Sequence, residues 1–135
     1  MVYQGNVFII GGCDHEQFSK ASIFYTDVME INIKDNTTTV HQCNVRRQIA
    51  GFSAAVIGKY VYVSGGVDKK LQKSKDLWSL DLSTFEWKQL QTIPYQIPLD
   101  DHGSAPASRI EILFLGCSKG KEEFNSLYNY DIVSS

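Results

Sequence analysis

Long apolar runs are missing from this chain, and with them the means to cross a bilayer as a helix. No stretch approaches the ~18–20 consecutive apolar residues that a helical span needs. Neither sign of charge dominates: 13 Lys and Arg against 15 Asp and Glu leave a net charge of −2. That is too little to expect an electrostatic grip on nucleic acid or on an anionic membrane. Cysteine is scarce and odd in number. Cys13, Cys43 and Cys117 form neither an even disulfide set nor a CxxC zinc spacing. Reduced thiols are expected, with the cytoplasm (or nucleus) as the setting. The opening MVYQGNVFII has no basic start and no small-residue cleavage site, so it does not read as a secretory signal. There is no P-loop pattern and no GxGxxG. The pairs Gly11-Gly12 and Gly65-Gly66 end apolar runs without opening a helix.

What the chain does have is repetition. VFIIGG (7–12), VYVSGG (61–66) and ILFLGC (112–117) follow one another at 54 and 51 residues. Self-similarity at a fixed period marks a repeat architecture. Each copy places a short turn before its apolar run and a polar loop after it. A second run then alternates: DVMEINI (27–33), DLWSLDL (76–82) and SLYNYDI (126–132). Side chains alternate faces along a strand, so the period of two makes these strands rather than helices. The middle copy predicts four strands, GFSAAVIG (51–58), KYVYVSGG (59–66), DLWSLDL and STFEWKQL (83–90). Pro94 and Pro98 then break regular pairing, and DHGSAPAS (101–108) opens the next copy. Four short antiparallel strands per ~50 residues make one propeller blade. The chain is thus expected to be all-β, with blade 1 at about 1–45, blade 2 at about 46–95 and blade 3 at about 96–135, the last lacking its final strand.

A doubled glycine closes a hydrophobic strand; an aromatic-bearing strand starts ten residues on, and a Trp lies eleven beyond that start. This pattern resembles the kelch repeat. Copy two matches it at Gly65, Gly66, Trp78 and Trp87, and copies one and three at Gly11, Gly12 and Gly116. Copy one departs from it, with Thr38 or Val40 in the Trp place and a post-glycine loop five residues longer; copy three has Cys117 as its second glycine. The glycines are expected where backbone and a large aromatic crowd the strand end. Trp87 is expected to fill the space between blade 2 and the next blade.

The resemblance implies a non-catalytic interaction scaffold, an adaptor that offers propeller loops to a protein or an acidic peptide segment. The alternatives it leaves are a metal-dependent enzyme of the kelch-propeller type and a structural arc in a cytoskeletal or ciliary assembly. Rings close with roughly four to eight blades, and about three are present. A piece of a longer propeller, self-association of two copies into a closed ring, and an arc docked on a larger partner all remain open. In the two-copy version, MVY of one chain adds as a strand to the unfinished blade of the other.

Chemistry-bearing residues are few. Cys13-Asp14-His15-Glu16 concentrates ligand types, but consecutive residues do not converge on one metal, and a solvated loop accounts for them. No nucleophile has a positioned base, so no catalytic residue, metal or cofactor is expected. Basic residues gather after two of the apolar runs, in KKLQKSK (69–75) and KGKEE (119–123), both placed in the same blade loop. Either these are solvated hairpin ends, or they lie side by side on one rim with Arg46 and Arg47, where the planar guanidinium suits carboxylates. The candidate partner-binding residues are Tyr25, Arg46, Arg47, Lys69, Lys70, Tyr95, Asp100, Asp101, His102 and Lys119.

Overall fold

The computed structural model describes residues 1–14, 22–74, 76–92, 103–106, 111–119 and 122–131, and from residue 91 to 130 its backbone alone. All regular structure in these residues is β. The first sheet is a meander of β1 (Val2–Tyr3), β2 (Asn6–Ile10), β3 (Val28–Asn32) and β4 (Thr37–His41). A separate two-residue ladder pairs β5 (Ile49–Ala50) with β8 (Val67–Asp68). The second sheet has β6 (Ser53–Ile57), β7 (Tyr60–Ser64), β9 (Asp76–Asp81) and β10 (Glu86–Thr92), paired in the order β10-β9-β7-β6. A third sheet holds β11 (Gly103–Pro106), β12 (Glu111–Lys119) and β13 (Glu122–Asp131). Every pairing is antiparallel. This is the expected all-β arrangement of a partial propeller.

Local chemistry sets the turns. Gln4 and Gly5 both take positive φ (48° and 76°), as a two-residue hairpin turn between twisted strands requires. The hairpins β3–β4 and β9–β10 are built alike. Asn32 Oδ1 accepts from the Lys34 and Asp35 amides, and Asp81 Oδ1 accepts from the Ser83 amide. Each turn ends on a left-handed residue, Asn36 (φ 57°) in the first and Phe85 (φ 58°) in the second. Asn tolerates that conformation, whereas a bulky side chain is held there only by its surroundings. The Phe85 ring packs 6.4 Å from Phe8 and stacks on His41 at 3.7 Å, both on the first blade.

The core lies between the first two blades. Phe8 and Val28 of the first sheet are buried against Val61, Val63, Leu80, Leu82 and Trp87 of the second. Trp87 therefore fills the space toward the preceding blade, not toward the next. Strand register explains the correction: Trp87 pairs with Leu80 and Leu80 with Val61, so all three share the face that meets Phe8.

Two further expectations change. MVY is taken up within its own chain, where Val2 and Tyr3 pair with Val7 and Asn6 as an outer strand of the first sheet. In the third sheet the post-glycine stretch is not a loop. β12 runs on through Gly116 and Cys117 to Lys119 and pairs with β13, with a register shift between Leu115 and Cys117. The basic stretches of copies two and three thus sit in different structures, an irregular loop and a hairpin end.

Candidate interaction site

The glycine pairs frame the site because the chain entering blade 2 passes against both of them. The Gly12 amide donates to the Ile49 carbonyl at 3.4 Å. A Cβ on Gly11 would stand 3.2 Å from that carbonyl and 3.3 Å from the Phe52 ring. At Gly66 the fit is tighter, with φ +90° and a Cβ only 2.8 Å from the Ala50 carbonyl oxygen. Backbone and an aromatic do crowd these strand ends, and the crowding comes from residues 49–52.

With β5 held there, its pairing with β8 aligns Ile49 with Asp68 and Ala50 with Val67. The residues just outside the ladder, 46–48 and 69–70, consequently flank one another. They line an open groove of about 350 Å³, made of Arg46, Gln48, Asp68, Lys69 and Lys70. Asp68 organises its floor. Its Oδ1 accepts from the Lys70 and Gln72 amides at 2.8 and 2.9 Å, and its carbonyl accepts from the Leu71 amide. Leu71 takes φ 62°, and the Ser74 amide closes the loop onto the Gly66 carbonyl at 2.8 Å. With Asp68 engaged by the backbone, three cations face the groove on an ordered frame.

The two arginines part company because side chains alternate along an extended segment. Arg46 is exposed, while Arg47 turns inward. Its guanidinium lies 4.4 Å from the Trp78 ring centre and 5.1 Å from that of Trp87, in cation–π range of both. Burial draws its pKa down to about 10, against the partial support of Asp76, so it stays charged at neutral pH. Its Nη1 and the Trp78 indole nitrogen are buried without a hydrogen-bond partner. Arg47 therefore packs between the two tryptophans and does not line the groove.

The other candidates fall elsewhere. Tyr25 is exposed, its amide tied to the Gly12 carbonyl at 2.9 Å, and is not among the groove residues. Lys119 ends β12 opposite Glu122. Tyr95, Asp100, Asp101 and His102 lie outside the described residues, as do His15 and Glu16 of the ligand-rich cluster. In that cluster Asp14 Oδ1 accepts from the Ile23 amide at 2.8 Å. Trp78 and Trp87 stand on neighbouring strands as the two walls around Arg47.

Sequence reasoning passed over four polar residues. Gln48 and Asp68 line the groove; an Asp two residues past a glycine pair, with amides two and four residues on, is a turn signal that was available. Asn44 clamps the outer strand of blade 2, its side chain donating to the Trp87 carbonyl at 3.2 Å and accepting from the Trp87 amide at 2.7 Å. Glu30 accepts from Asn6 Nδ2 at 2.5 Å and meets His41 Nε2 at 2.6 Å. No motif announces either cluster, since the partners are 43, 24 and 11 residues apart. Burial raises the Cys43 thiol pKa, which disfavours a reactive thiolate there.

Repeated antiparallel blades, glycine pairs pressed on the incoming chain and a loop-built groove define a kelch-type propeller segment. The comparison with known families agrees: the KLHDC2/KLHL20/DRC7 Kelch-repeats domain matches residues 1–135, and the chain belongs to this kelch-repeat family. Among curated proteins it is similar to the tRNA wybutosine-synthesizing protein 2/3/4 of Arabidopsis thaliana, at 33% identity over 85 residues. That match covers 63% of the present chain and 8% of the relative.

Proposed function

We propose that this chain is a non-catalytic protein-interaction module whose basic groove receives an acidic peptide segment. Membership of the kelch-repeat family supports the broad class. The ligand chemistry rests on one observation: Arg46, Lys69 and Lys70 line a single groove, and its one carboxylate, Asp68, accepts hydrogen bonds from the loop amides. Positive potential in a concave site attracts carboxylates and steers their approach. The guanidinium of Arg46 adds planar, two-point recognition.

The test is fluorescence anisotropy with a labelled deca-glutamate peptide, and deca-glutamine as the neutral control. The acidic peptide should bind and weaken steeply between 50 and 200 mM salt, while the neutral one should not bind. Arg46→Glu combined with Lys69→Glu should weaken binding roughly tenfold or more. Equal binding of both peptides, or an unaffected double variant, refutes the groove.

The Arabidopsis thaliana relative suggests a second setting. Its name places it in tRNA wybutosine synthesis, and a related role here would be that of a protein-docking arm beside a tRNA-modifying unit. The net charge of −2 gives this segment little footing on phosphate. Titration with bulk tRNA in the same assay should therefore show no binding by residues 1–135.

A further inference from the structure

The loops that follow the two glycine pairs are one structure built twice. In the first blade the Asp14 amide donates to the Ile23 carbonyl, Asp14 Oδ1 accepts from the Ile23 amide, and the Tyr25 amide donates to the Gly12 carbonyl. In the second the Asp68 amide donates to the Gln72 carbonyl, Asp68 Oδ1 accepts from the Gln72 amide, and the Ser74 amide donates to the Gly66 carbonyl. Cys13 bridges Phe24 as Val67 bridges Lys73. Ile23 thus holds the place of Gln72, and Tyr25 that of Ser74. Gln72 is exposed with the first blade packed beside its own, so a place at the surface belongs to this loop position itself.

What the two loops display differs. In the first, Ser22 and Phe24 are buried, and alternation sends Ile23 (59% exposed) and Tyr25 (53%) outward together. The second displays Lys69 and Lys70 at the basic groove. Between the loops runs the segment that carries Arg46 and Gln48. The Gly12 amide holds it on one side, through the Ile49 carbonyl, and Asp68 pairs with Ile49 on the other. Tyr25, Gly12, Ile49 and Asp68 are therefore successive backbone neighbours. At ~4.8 Å a step they span roughly 14 Å, about four residues of an extended peptide.

Given the reading of the groove as an acidic-peptide site, on which this rests, we propose that Ile23 and Tyr25 are an apolar shelf beside it. The ligand is an acidic segment with a large aliphatic or aromatic side chain about four residues from its carboxylates. The cations attract any acidic chain. The shelf discriminates among such chains, because a ligand without an apolar side chain leaves Ile23 and Tyr25 in water.

The experiment is fluorescence anisotropy of residues 1–135 with two labelled peptides, each a hexa-glutamate followed by three glycines and then either two leucines or two serines. The leucine peptide should bind roughly fivefold or more tightly, and the ratio should persist at about 200 mM salt, where attraction between charges is screened. Ile23→Ser with Tyr25→Ser should bring the two peptides to equal affinity. Tyr25→Ser alone serves if circular dichroism shows that the double variant loses its fold, and should reduce the ratio. Equal affinities in the wild type, or a ratio indifferent to Tyr25→Ser, overturn the shelf. Binding of the serine peptide in that event leaves the groove standing; if neither peptide binds, groove and shelf fall together.

Discussion

At Gly66 two constraints coincide that are separated at Gly12. Both residues are left-handed (φ +90° and +100°), but nothing lies within 4 Å of a Cβ built on Gly12, whereas one on Gly66 falls 2.8 Å from a backbone oxygen and 2.9 Å from Ile49. A left-handed L-residue costs roughly 1–2 kcal/mol, and forcing a methyl into a packed site adds about 1–3 kcal/mol. Gly66→Ala should therefore destabilise by roughly 2–4 kcal/mol, and Gly12→Ala by about 1–2 kcal/mol. Urea unfolding of the two variants checks the difference; equal losses would mean that conformation alone matters at both sites. Arg47 teaches a second residue-scale lesson. Adjacent arginines look equivalent in the sequence, yet alternation sends one to the groove and the other between Trp78 and Trp87.

Among the elements, the β9–β10 hairpin makes a pH-dependent contribution to stability. Asp81 closes the β9–β10 turn, accepts from Lys59 Nζ at 2.8 Å and from the Ser83 amide at 2.8 Å, and also takes the Ser83 hydroxyl. These contacts, Lys59 first, draw its pKa from 3.8 to about 2. A carboxylate with a depressed folded pKa contributes stability that is present above its unfolded value and disappears as the group protonates. The contribution should be complete above about pH 4 and fade as the pH falls toward about 2. Asp81→Asn should accordingly be less stable than wild type at pH 6, with the gap closing between pH 4 and 2. Urea midpoints measured across that range decide it; a constant gap would sink the assignment. The strands themselves were legible in advance. Alternation in DVMEINI and DLWSLDL placed β3 and β9, and their register also settles the Trp place in copy one. Thr38 pairs with Ile31 as Trp87 pairs with Leu80, so Thr38 and not Val40 occupies it.

For the molecule as a whole, stability resides in a cluster shared by two blades. Phe8, 4% exposed, sits among Val61, Val63, Leu80 and Trp87, and its ring also touches Tyr3 and Phe85. Phe8→Ala should cost roughly 3–5 kcal/mol. Because the cavity opens on both blades, Trp87 fluorescence should report the loss as fully as far-UV circular dichroism does. If tryptophan emission unfolds at the wild-type midpoint while circular dichroism shifts, the blades are not coupled through this cluster.

The period, the longer strands of the first two blades, the glycine pairs and the all-β class were determined by the sequence itself, because two-residue alternation and glycine at a strand end are local consequences of backbone geometry. So was the presence of cations near residues 46 and 69–70. The tertiary structure alone decided which arginine faces the groove, that Trp87 looks back toward blade 1, that Asn44 clamps it, and that the third glycine run continues as a hairpin. Each of these depends on contacts between residues far apart in the chain or on the register of neighbouring strands. A linear pattern specifies which face a side chain takes along its strand, but not which blade lies opposite that face.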